Sequence, residues 1–323
     1  MMKSPALLSI SSVFQSPKLL IAIGLGATFA SAQAAPPRTD SDGKPIIVQG
    51  ERLPEGVVRE RASQFVRSTG VAAGTIPAAR WIEPVCVQVQ GLADVGKRAA
   101  ETKMRNVAAS AGIPVGSASC KPNIIVSFTS DGAGLAKEIH KKDPRRVGQM
   151  TPRAQEALLS GAAPIRWMYS TELRNRHGQP LNEGGGGGQT SPATHDGSGA
   201  GSSFGGDNTM VHYENSLVST LTNRVLTSAI VIIDTDHAMG RKLDSLAAYS
   251  ALVAFAEIRN AGALPEGSIL GMFDSSAPPR DLTPQDTAFL RALYKMPLDR
   301  EAMRHRGQLV HEITRELAVR ENQ

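Results

Sequence analysis

Between Trp81 and Phe128 the chain reads as two short β-branched runs separated by one proline-free helical stretch, and that order leaves few ways to fold. Val85, Val87 and Val89 alternate with Cys86, Gln88 and Gln90, the period-two signature of a strand over Trp81 to Gly91. Leu92 to Ala111 is rich in Ala, Lys, Arg and Glu and is closed by Gly112-Ile113-Pro114, which predicts an amphipathic helix. Asn123 to Phe128 is a compact apolar run suited to a buried strand. Strand, crossover helix and strand in so short a span default to a right-handed βαβ unit, so the two strands are expected to be parallel.

The only two cysteines, Cys86 and Cys120, fall near the same end of that parallel pair. An even count in an exported chain predicts a disulfide. The rival roles, a free nucleophile or half of a metal site, lack a CxxC neighbour or a nearby histidine.

Export itself is read from residues 1 to 34, which hold no Asp or Glu, carry Lys3 and Lys18, run through Leu19 to Ala30 and reach Ala32-Gln33-Ala34. A basic start, an apolar stretch too short to span a bilayer and a small-residue site predict a signal peptide cleaved after Ala34. Cleavage lowers the formal net charge from +5 to +3, since Lys3 and Lys18 are lost. No later apolar run is long enough to span a membrane, and no Lys/Arg cluster is interleaved with aromatics, so neither a mature membrane span nor a nucleic-acid partner is expected.

Residues 35–54 read as a flexible arm and 55–323 as a single α+β domain, with a helix from Glu55 to Ser68. Helices are expected over Ala133 to Lys141 and from Thr151-Pro152 to about Ser160, followed by a long strand from Pro164 to Leu173. Ser216 to Asp234, ending in Ala229-Ile-Val-Ile-Ile-Asp234, is the strongest strand and is expected to pair antiparallel with it. Between them, residues 183–207 hold ten of the 31 glycines and read as a disordered loop. Leu243 to Ile258, apolar all round, predicts a buried helix; Thr283-Pro284-Gln285-Asp286 opens another, and Leu298 to Glu321 is a last, charged one. The fold class is therefore α+β: a mixed sheet with one βαβ unit and an antiparallel hairpin, followed by C-terminal helices.

No GxGxxG, GxxxxGK[ST], GxSxG or HExxH motif is present. His311-Glu312 has Arg315 where a second zinc ligand would stand. The chemistry-bearing candidates are Asp234, Asp236 and His237, which follow the strongest strand, and Arg166 on its expected partner. Two carboxylates and an imidazole suit a divalent cation or acid/base work, whereas the plainer roles are a helix cap for Asp236 or Thr235 and an exposed ring for His237. Arg166 and Met168 are expected on one face of their strand, Trp167 and Tyr169 on the other, with Arg166 able to pair with Asp234.

The segments Val85-Cys86-Val87, Cys120-Lys-Pro-Asn-Ile-Ile-Val126, Pro164-Ile-Arg-Trp167, Leu246-Ala-Ala-Tyr249, Leu282-Thr-Pro-Gln-Asp286 and Leu290-Arg-Ala-Leu-Tyr294 resemble a family of uncharacterised exported proteins of Gram-negative bacteria. More distantly, the order of elements resembles the zincin-like metallopeptidase fold. Its HExxH helix corresponds here to Leu246 to Phe255, which has no His or Glu, so the resemblance implies the shape without the zinc. Together these readings favour an exported, non-enzymatic binding protein of the periplasm or exterior, with no cofactor and an envelope component as partner. The alternative is a hydrolase, metal-dependent or metal-free, built on Asp234, Asp236 and His237.

Overall fold

Three strands of the sheet run the same way because each of the first two feeds a helix rather than a hairpin. The computed structural model describes residues 53–147, 150, 152–161, 163–175, 178–181, 219–220, 222–259 and 267–320. The expected signal peptide, nearly all of the arm and the Gly/Ser loop 183–207 lie outside the described residues. β1 (Val87–Gln90) pairs parallel with β2 (Ile124–Thr129), Val87 opposite Ile124, and α2 (Asp94–Ser110) makes the crossover. β2 pairs parallel with β4 (Thr222–Asp234), and β4 pairs antiparallel with β3 (Ile165–Asn175) in the order β1-β2-β4-β3. The fold is thus α+β with a mixed sheet and C-terminal helices, and the expected parallel pair and hairpin are both present.

β4 is apolar on both faces because both faces are covered. Val231 and Ile233 point into the larger core, which holds α2, α5 (Leu243–Phe255), α6 (Pro284–Lys295) and parts of α1 (Glu55–Thr69) and α7 (Ala302–Arg320). Ile230 and Ile232 point into a smaller core with Met168, Ala136 of α3 (Gly132–Lys142) and Leu158 of α4 (Pro152–Leu159). Trp167 and Tyr169 take the face opposite Met168, as strand alternation requires. β2 reaches only Ala229 to Asp234 of β4; beyond it, Arg80 bridges to Val225, and its carbonyl accepts from the Leu226 amide.

Two helices are shorter than their apolar patterns suggest. The last helix begins at Ala302 rather than Leu298. The buried helix α5 stops at Phe255 instead of Ile258, because Ala256 turns extended at φ −127° and ψ 135°. The reason is a set of donors from distant elements that receive its final carbonyls. Trp81 Nε1 donates to Ala254 O at 2.9 Å and Tyr294 Oη to Phe255 O at 2.8 Å. Tyr169 Oη reaches Val253 O at 2.5 Å and Ala256 O at 2.9 Å, and accepts from the Ile258 amide at 3.1 Å. Trp167 Nε1 donates to Ile258 O at 2.8 Å. Both tryptophans and two of the four tyrosines of this aromatic-poor chain are gathered at one buried helix end. Just beyond it, Glu257 is buried against Arg224 of β4 and Arg259. Burial raises its carboxyl, but the two guanidiniums outweigh that and hold it below the ordinary range.

α6 opens as its sequence predicts. The Thr283 hydroxyl accepts from the Asp286 amide while the Asp286 carboxylate accepts from the Thr283 amide, a reciprocal capping box with Pro284 at the first helical position. Asp286, fully buried, also accepts from the Ser268 hydroxyl and the Ile269 amide, so the same side chain anchors the preceding turn.

Candidate functional site at the carboxyl edge of the parallel strands

Because β1, β2 and β4 are parallel, their carboxyl ends emerge along one edge. Two close approaches shape it. Gly91, at φ +83°, follows β1, and a Cβ there would lie 2.0 Å from the Phe128 carbonyl oxygen, so only glycine fits. After β2, Asp131 caps α3 by accepting from the Gly134 amide at 2.7 Å. A Cβ at Gly132 would sit 2.7 Å from Arg166 Nη1 and 3.0 Å from Asp234 Oδ2, so β4 and α3 meet there with no space for a side chain.

Asp234 ends β4 and is 3% exposed. Its Oδ2 accepts from the Gly132 amide at 3.0 Å, at the positive end of α3. Its Oδ1 accepts from His237 Nδ1 at 2.9 Å and from the His237 amide at 3.3 Å. Burial alone would raise this carboxyl, but the hydrogen bonds from the His237 ring and from the Gly132 and His237 amides hold it below the usual value. With Nδ1–H directed at Asp234, the Nε2 of His237 is the nitrogen left for solvent, and the ring is 43% exposed.

Arg166 and Asp234 do approach, with Nη1 3.8 Å from Oδ2. They meet diagonally, since the register places Arg166 opposite Ile232. The guanidinium is otherwise occupied by backbone: Nε donates to Leu158 O at 3.0 Å, Nη1 to Ala163 O at 2.6 Å and Nη2 to Gly161 O at 2.6 Å. Arg166 therefore closes the carboxyl end of α4 and the turn into β3, and it is buried away from any ligand in water. Asp236 is exposed and does not join Asp234 and His237. The four candidates thus separate into a buried staple, Arg166 with Asp234, an exposed imidazole oriented by that staple, and a solvated carboxylate. Among the described residues no three His, Cys, Asp or Glu side chains converge as they would on a metal ion.

At the opposite edge Cys86 and Cys120 are bridged, with Cα atoms 5.9 Å apart. Neither thiol is therefore available as a nucleophile or ligand. The Cys86 amide donates to Asn123 Oδ1 at 2.7 Å, and Asn123 Nδ2 donates to Pro84 O at 3.0 Å, so one asparagine fixes the turn beside the bridge.

Sequence reasoning passed over the side chains that this edge exposes. Val95, near the start of α2, is 73% exposed, and Met239, in the turn after β4, is 77% exposed. The starts of α2 and α5 are neighbours, since a Cβ at Gly96 would lie 3.6 Å from Leu243 Cδ2. Neither exposure has a signal in the sequence: Val95 fits an amphipathic pattern, and Met239 stands between Ala238, which is buried, and Gly240. The helix expected from Ala133 was legible, but not its Asp131 cap or the Gly132 amide as a partner of Asp234.

No family model, no curated protein and no solved structure matches the chain. Among the described residues no helix is long and apolar enough to cross a membrane.

Proposed function

We propose that this chain is an exported, non-enzymatic binding protein of the cell envelope that meets its partner with the carboxyl edge of the parallel strands. The observation that carries the reading is the exposure of Val95 and Met239 on an edge that is otherwise rigidly built. Two large apolar side chains exposed beside the abutting starts of α2 and α5 favour a contact role there. Gly91, Gly132 and the Asp234 hydrogen bonds fix the backbone beneath them, which lowers the ordering cost of association. The signal peptide expected at residues 1–34 and the Cys86–Cys120 bridge support the periplasm or exterior as the place of action.

The test is a photo-crosslinking amino acid placed at position 95 or 239, with Arg145, whose side chain is 94% exposed on another part of the surface, as the control position. A discrete product is expected at 95 and 239 and none at 145. The same products at all three positions, or none at 95 and 239, would overturn the reading.

A hydrolase is the second reading, and one observation favours it: Asp234 holds His237 through Nδ1 and leaves Nε2 on the solvent side, the placement of a general base. Hydrolysis of chromogenic ester, amide or phosphoester substrates that is lost in His237→Gln and kept in Met239→Asp would put this reading first.

A further inference from the structure

Four methionines of the described residues, Met104, Met168, Met272 and Met296, are at most 3% exposed, whereas Met239 is 77% and Met303 70% exposed. At Met239 the exposure is imposed by the turn. The Ala238 amide donates to the Asp234 carbonyl at 2.9 Å, and the His237 amide donates to the Asp234 carboxylate. Ala238 is buried at 4%, Gly240 holds φ +80°, and the Arg241 guanidinium lies 5.5 Å from the centre of the Phe273 ring. The residue between a buried alanine and a left-handed glycine is left on the outside of a pinned loop.

We propose that Met239 is an oxidant-sensitive modification site that makes the carboxyl edge polar without disturbing the fold. The reaction is oxygen transfer from hydrogen peroxide. A sulfur lone pair attacks one peroxide oxygen, the O–O bond breaks, an S=O bond forms, and a proton shift releases water. Sulfur loses two electrons and the peroxide gains them. The sulfoxide exchanges a flexible apolar thioether for a polar group, and a methionine sulfoxide reductase reverses it. Its effect on partner contact rests on the reading of this edge as the contact surface; the oxidation itself does not.

The full chain is exposed to hydrogen peroxide, quenched and mapped by peptide mass spectrometry over time. Met239 and Met303 are expected to oxidise on the order of tenfold faster than the four buried methionines, with the melting curve unchanged when Met239 is fully converted. Oxidation of Met239 at the slow rate of the buried four, while Met303 reacts, overturns the proposal. So does a melting temperature that falls in step with Met239 oxidation in wild type and stays constant in Met239→Leu. Failure of the contact reading would show instead as absent crosslinks at 239, with this order of oxidation intact.

Discussion

Replacing Tyr169 by Phe removes one oxygen atom from the place where the buried helix α5 ends. That hydroxyl shares its one proton between the carbonyls of Val253 and Ala256 and accepts from the amide of Ile258, and all three residues are fully buried. Phenylalanine keeps the ring and its packing, removes the one O–H donor that the two carbonyls share, and leaves the Ile258 N–H with only its 2.8 Å contact to the Ala256 carbonyl. One donated and one accepted buried hydrogen bond are lost, each contributing about 0.5–1.5 kcal/mol, so the substitution should destabilise by about 2 kcal/mol. In a domain of this size that lowers the melting temperature by about 4–8 °C. Tyr249→Phe is the internal control, because Tyr249 is also buried but its hydroxyl has no hydrogen-bond partner among the described residues. Calorimetric melting of both variants checks the reasoning. It fails if Tyr169→Phe melts within about 2 °C of wild type, or if the two variants fall equally.

Reduction of Cys86–Cys120, or a double Cys→Ala variant, should cost about 3–4 kcal/mol by releasing a loop of 34 residues, measured by urea unfolding with and without reductant. Glu257→Gln should destabilise by about 3–5 kcal/mol, since Arg224 and Arg259 lose the buried carboxylate they share; chemical denaturation reads this. His305, 0% exposed, accepts from the Ala78 amide at Nδ1 and pairs with the Pro297 carbonyl at Nε2. Burial, with Arg80 and Arg300 nearby, pushes its pKa below the ordinary value, against the pull of Pro297 O and Asp299. The unfolded chain therefore binds the proton first on acidification. The stability His305 contributes is complete above about pH 6.5 and is lost as pH falls through its folded-state pKa, by up to about 1.4 kcal/mol per pH unit. The difference in unfolding free energy between wild type and His305→Gln, followed from pH 8 to 5, should shrink accordingly, and a constant difference would remove His305 as the cause.

What the sequence determined alone is the set of elements whose signals lie within a few residues of one another. The apolar run at Asn123 to Phe128 and the Thr283 to Asp286 cap needed no distant partner and stand where the pattern placed them, whereas the strand expected over Trp81 to Gly91 is confined to Val87–Gln90. The parallel pairing of β1 with β2 followed from the crossover between them, and with it the proximity of the two cysteines. Tertiary structure alone decided where α5 ends, because its donors come from Trp81, Tyr169 and Tyr294, far away in the chain. It also decided what the candidate residues do. Asp234 and His237 are three positions apart and were legible as one cluster, but the Gly132 amide that fills the other side of the carboxylate is 102 residues away. Arg166 has the same charge on any strand; only the carbonyls of Leu158, Gly161 and Ala163 converging on it make it a staple. The exposure of Met239 is likewise a property of the assembled turn, since solvent contact depends on what packs against a residue and local sequence records only its type.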